Sequence, residues 1–124
     1  MKVLLSIKPE YAEKIFEGSK KYEFRKILFK NPEITRVIVY ASYPVQKVIG
    51  EFEIENVISE SPTKLWRQTK EDSGITKSFF DSYFLGKSQG HAIKIKFVER
   101  YNKPLCLKQD FQIQHPPQSF MYVK

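Results

Sequence analysis

The residue types and spacing best suited to chemistry lie in Gly18-Ser19-Lys20-Lys21-Tyr22-Glu23-Phe24-Arg25. A glycine turn here leads into a segment of period two. Glu23 and Arg25 fall on one face, Tyr22 and Phe24 on the other, and Lys20 sits at the mouth. A guanidinium beside a carboxylate is held in place while both groups keep hydrogen-bonding capacity for a ligand. The same pattern also describes a solvated strand face with ion pairs worth little. Other site signatures are missing: the chain has no glycine-rich phosphate loop, no Gly-x-Ser-x-Gly and no His-Glu-x-x-His. His91 and His115 have no carboxylate or cysteine at metal-ligand spacing, so no metal or cofactor is expected. Cys106, between Leu105 and Leu107, reads as a packed side chain. As the single cysteine it excludes an internal disulfide.

The elements that must position this segment are readable from periodicity. Val3 to Ile7 is a short apolar run fit for a buried strand. Pro9 suits the first position of a helix. Tyr11, Ala12, Ile15 and Phe16 share one face of that helix, and Gly18 ends it. The nearly continuous apolar run Ile34–Ser42 predicts a central strand, broken by Tyr43-Pro44. Lys47–Ile58 alternates, with Phe52 and Ile54 inward, Glu51, Glu53 and Glu55 outward, and Gly50 at a bulge. Ser61 and Pro62 predict a helix start. Gly74 separates that helix from a second one, Ile75–Leu85. Helical spacing assigns the aromatic face of the second helix, Phe79, Phe80, Tyr83 and Phe84, to the core rather than to base stacking. Gly90–Val98 predicts a further strand and Pro104–Lys108 a short edge strand. The apolar tail after His115 is expected to dock. The predicted class is α+β: a small curved β-barrel, closed or half-closed, with helices packed at its ends.

At 124 residues, with 41% hydrophobic and 15% aromatic side chains, the chain can bury a core as one domain over 1–124. It is too apolar for a disordered segment. No apolar run approaches the ~20 residues of a membrane span, and the start is too quickly charged for a signal peptide. We therefore expect a soluble, reduced, cytoplasmic protein. Lysine and arginine number 21 against 14 acidic residues, a net charge of +7 that favours an anionic partner, nucleic acid first. Residues 1–30 and the last half are basic and residues 31–60 acidic, which predicts one basic and one acidic face.

Gly18-x-Lys20-x-x-Glu23-x-Arg25 resembles the Gly-x-Lys-x-x-Glu-x-Arg signature of the ASCH domain family. Leu5-Ser6-Ile7-Lys8-Pro9 with Tyr11-Ala12 and Ile15 resembles that family's opening strand and helix. Val39-Tyr40-Ala41-Ser42 and Val48-Ile49-Gly50 resemble its central strands. The ending Pro116-Pro117-Gln118-Ser119-Phe120 resembles that of prokaryotic members described as transcriptional regulators. The resemblance implies a PUA-like barrel, related to RNA-binding PUA domains, with a cleft between barrel and first helix. Lys20, Glu23 and Arg25 would line it, and Lys8 and Ser42 are further ligand-binding candidates. The helix N-terminus would add N–H donors. Lys8 and Arg25 would hold a phosphate while Glu23 accepts from a base edge. The implied partner is RNA or a modified nucleoside or nucleotide. Two enzymatic alternatives come with the family. One branch consists of amidohydrolases acting on N4-acetylcytidine, with a lysine matching Lys20. That branch has a threonine where this chain has Glu23, and a later glutamate that Gly74-Ile75-Thr76-Lys77-Ser78 does not supply. Other members are linked to ribonuclease activity. If the protein is an enzyme, Lys20 and Glu23 are the catalytic candidates.

Overall fold

The computed structural model describes all 124 residues. In chain order the elements are β1 (Lys2–Ile7), α1 (Pro9–Glu17), β2 (Tyr22–Arg25), β3 (Arg36–Ala41), β4 (Lys47–Glu60), α2 (Pro62–Thr69), α3 (Lys77–Tyr83), β5 (Gly90–Leu105), α4 (Leu107–Phe111) and β6 (Met121–Val123). A 3-10 turn, Lys70–Asp72, follows α2. All six strands belong to one sheet in the order β2-β5-β4-β3-β1-β6. β1 and β3 pair in parallel and every other neighbour is antiparallel. The class is α+β, as expected, but the sheet curls without closing: β2 and β6 are its two edges. The long strands β4 and β5 bend at register shifts near Val48/Gly50 and Glu53/Ile54. Gly50 is required at the first of these, because a Cβ there would meet the Glu99 carbonyl oxygen at 2.6 Å and the Phe16 ring at 2.7 Å.

β1 and β3 read as nearly continuous apolar runs because both of their faces are covered. Val3, Leu5, Ile7, Val37 and Val39 pack with Phe52 and Ile93 beneath Ala12 and Ile15 of α1. Leu4, Ile38, Tyr40 and Val48 pack on the opposite face beneath Leu107 of α4. A third cluster joins Tyr22 and Phe24 of β2 to Leu65 of α2 and to Phe80 and Phe84 of the α3 region. Gly18 ends α1 in the left-handed conformation at φ 98°, as its position predicts.

Three expectations are corrected. Pro104–Lys108 is not an edge strand: β5 runs to Leu105 and α4 begins at Leu107. The backbone N–H of Cys106 donates to Asp110 Oδ2 (2.7 Å), a cap that favours helix over strand at this point. Residues 31–60 do not present an acidic face, because Glu51, Glu53 and Glu55 are neutralised across strands by Lys2, Arg36, Lys94 and Lys96. Glu51 does not point to solvent. It sits opposite Ile38 on the face that α4 covers, and its side chain is 7% exposed.

Burial alone would push the Glu51 carboxyl up. Hydrogen bonds from Lys2 Nζ (2.8 Å), Tyr101 Oη (2.6 Å) and Arg36 Nε (2.6 Å) override that and hold it at about 2. Its ordinary value is 4.5, so the network contributes on the order of 3 kcal/mol at neutral pH. That stability is fully present above about pH 4.5 and is lost as the pH falls towards 2. Urea unfolding at pH 7 should show Glu51→Gln destabilised by roughly 2–3 kcal/mol. The gap from wild type should narrow at pH 3. A constant gap across this range would remove Glu51 from the role.

Candidate functional site

The segment 18–25 opens into a cleft of about 230 Å³ between β1, α1, β2 and α3. Its volume is below the ~300–1,000 Å³ of drug-sized sites and suits one planar heterocycle. Lys8, Lys20, Glu23 and Arg25 all line it. Ser42 does not. β3 ends at Ala41, and Ser42 opens the following turn, where its N–H donates to the Ile7 carbonyl (2.9 Å) and its carbonyl accepts from Val45 (3.1 Å).

Lys20 forms the floor and is 2% exposed. Its ammonium donates to the Ser73 carbonyl (2.7 Å) and lies over the rings of Phe24 (4.9 Å) and Tyr11 (5.4 Å). Burial lowers its pKa to about 8, with Glu23 opposing the shift and Lys14 adding to it. Gly74 makes this seat possible. Its φ is +70°, and a Cβ there would stand 2.5 Å from Lys20 Cβ and Cγ. The chain also folds over the floor through Lys21 N–H, which donates to the Asp72 carbonyl, and through Lys14 Nζ, which reaches the Gly74 carbonyl (3.3 Å).

Glu23 is buried and is the one carboxylate lining the cleft. Arg25 Nη1 donates to it (3.3 Å) and to the Ser6 carbonyl (3.3 Å), while Nη2 donates to the Ser119 carbonyl (2.6 Å). The guanidinium is thereby a structural clamp. It ties β2 to β1 and to the tail, which docks as expected through Phe120 and through Ser6 Oγ donating to the Pro117 carbonyl (2.9 Å). The start of α1 offers fewer donors than expected, since Pro9 has no N–H and those of Tyr11 and Ala12 both donate to the Lys8 carbonyl.

The aromatic face of α3 divides. Phe80 and Phe84 are core, whereas Phe79 and Tyr83 line the cleft and stack on each other at 6.1 Å and 16°. The Tyr83 hydroxyl donates to the Phe24 carbonyl (3.3 Å), and burial raises its pKa. Tyr11 extends this wall, 5.4 Å from Phe79. Neither this wall nor Gln118 at the rim was picked out as site from the sequence. The sequence shows a broad stripe with positions 79/83 and 80/84 in adjacent rows, but its spacing does not mark which row leaves the core. No group of three His, Cys, Asp or Glu side chains is placed to hold a metal ion, and no helix is long and apolar enough to cross a membrane.

The family model for the ASCH domain matches residues 5–105, which include the whole signature segment. The chain belongs to the ASCH domain family. Over 98% of its length this ASCH domain is 31% identical to large ribosomal subunit protein uL22 of Ureaplasma parvum serovar 3, and it spans 39% of that protein. It is 27% identical to an ASCH domain-containing ribonuclease of Zymomonas mobilis and spans 83% of it. The crystal structure of ASCH from Zymomonas mobilis superposes with a TM-score of 0.89 at 27% identity, covering 99% of this chain and 87% of that one. The N-terminal domain of Staphylothermus marinus McrB shares the fold at a TM-score of 0.55 and 18% identity.

Two outcomes test the floor. In an NMR pH titration the Lys20 side chain should show a midpoint near 8, lowered further in Glu23→Gln; a midpoint near its ordinary 10.5 would contradict the burial. Because the unfolded chain binds the extra proton between about 8 and 10.5, this lysine's penalty on folding should ease as pH rises through that window. Gly74→Ala should destabilise the domain by more than ~1 kcal/mol in thermal melts, since both its backbone conformation and the Lys20 contact oppose a Cβ.

Proposed function

We propose that this ASCH domain binds RNA by seating one base in the cleft, and that it serves in RNA metabolism or regulation in the cytoplasm. The observation that carries this reading is a single buried acceptor, Glu23, set between a cationic floor and an aromatic wall in a space sized for one base. Glu23 accepts from a base edge. Phe79, Tyr83 and Tyr11 offer ring faces and edges, and base–aromatic stacking is worth roughly 1–3 kcal/mol per base. A modified base fits the same description, provided that its modification leaves a donor for Glu23. The net charge of +7 supports an anionic partner.

Ribonuclease activity is the second reading, favoured by the name of the Zymomonas relative and by the lowered Lys20 pKa. Here Glu23 would take the proton of a ribose 2′-hydroxyl, whose oxygen attacks the phosphorus. The departing 5′-oxygen would take a proton from the Lys20 ammonium, leaving a 2′,3′-cyclic phosphate. Lys20 is anchored on Ser73 and almost wholly buried, which supports binding over turnover. An amidohydrolase of the N4-acetylcytidine type has weaker support, because no second carboxylate lines the cleft.

Fluorescence anisotropy with single-stranded RNA should give a log–log salt slope of roughly −2 to −3.5, as for three to five phosphate contacts. Glu23→Gln should weaken binding by about 1–3 kcal/mol. Gel analysis of the same mixtures should show intact RNA. Salt-insensitive binding confined to neutral nucleosides would convert the domain into a small-molecule sensor. Cleavage lost in Lys20→Ala would convert it into a ribonuclease, and acetate release from N4-acetylcytidine into an amidohydrolase.

A further inference from the structure

Resting on that reading, we infer that the ligand is an internal nucleotide of a single strand, its two flanking phosphates held by Lys8 and Lys26 along the α3 wall. The cations closest to the base are already committed. Lys20 is buried on the Ser73 carbonyl, and Arg25 is divided among Glu23, Ser6 and Ser119. Arg25 therefore does not serve as the phosphate ligand that the sequence suggested, and the backbone charge must be met by other groups.

Lys8 and Lys26 have the placement for this. Both are exposed, and neither takes part in any ion pair. Lys8 Nζ stands over Phe79 (5.3 Å) and Lys26 Nζ over Tyr83 (4.7 Å), the two rings that stack on each other at 6.1 Å. The ammonium groups thus follow one another along the same wall that would receive the base. Tyr83 is fixed at its far end by the Phe24 carbonyl, so the ring beneath Lys26 is not free to turn away. A cleft of about 230 Å³ holds the base but not the backbone on either side of it. A strand entering past one lysine and leaving past the other satisfies both constraints.

The test compares a short, unstructured, mixed-sequence single-stranded RNA with the four nucleosides as probes of the full chain. Lys8→Ala and Lys26→Ala should each flatten the log–log salt slope for RNA by about 0.7, and the double variant by about 1.4. Nucleosides carry no phosphate, so their binding should be flat with salt in wild type and in all three variants. Lys96→Ala, which removes one charge from the pair with Glu53, controls for net charge and should leave the slope as in wild type. If wild type binds RNA and Glu23→Gln weakens it while the lysine variants keep the wild-type slope, the strand path is wrong and the base site stands. If wild type binds neither RNA nor nucleosides, the base site itself falls, and the path with it.

Discussion

A lysine ammonium buried at the bottom of the cleft is the constraint to which the surrounding structure answers. Removing Lys20 from water is costly unless its three donors and its charge are met. The Ser73 carbonyl accepts one hydrogen bond from it, the rings of Tyr11 from α1 and Phe24 from β2 lie beneath its charge, and the neighbouring Glu23 carboxylate favours the charged form. The turn carrying Ser73 and Gly74 must therefore lie flat on β2, which brings α3 behind it. The first helix must come close enough to present Tyr11. Glu23 has to remain inside although it also has to answer to Arg25. A cleft with one polar wall and one aromatic wall results from satisfying this single charge.

Charge is sorted across the fold rather than spread over it. On the face covered by α4, cations are gathered around Glu51, and Arg36 bridges Glu51, Glu53 and Glu99. Among the residues lining the cleft the only carboxylate, Glu23, is buried, while Lys8 at the cleft and Lys26 beside it are exposed and seated on rings. Cations at the surface above a buried carboxylate are the arrangement on which the proposed RNA-binding role rests.

How much of this was legible in the sequence depended on the range of the interactions. The turn at Gly18, the alternation through Arg25, the first helix and the central apolar strand follow from local periodicity, and all are present. Glu51 was misplaced because period two names two faces without saying whether the second is covered; only the distant helix α4 and Tyr101 cover it. The clamp that Arg25 makes is not legible in the sequence because, beside Glu23, its partners are the backbone carbonyls of residues 6 and 119, and no side chain advertises a carbonyl. Phe79 and Tyr83 were assigned to the core because a run of aromatic residues at helical spacing does not reveal that its two rows diverge. Pro104–Lys108 was read as a strand because five residues with alternating apolar side chains suit either element, and the deciding cap comes from Asp110, beyond them.

The pairing of the first strand with the last has a consequence for how the domain comes into being. Lys2 lies opposite Val123, and Ser6 and Arg25 reach the carbonyls of Pro117 and Ser119. These contacts close loops of nearly the whole chain, so they are among the last to repay the entropy of their formation. On a translating ribosome β1 can settle against β3 and α1 well before β6 emerges, but the clamp on Arg25 cannot form until Ser119 has left the exit tunnel. A nascent chain therefore carries the floor and the aromatic wall without the finished rim. The cleft is completed only when the segment carrying the carbonyls of Pro117 and Ser119 has come back to β1 and β2.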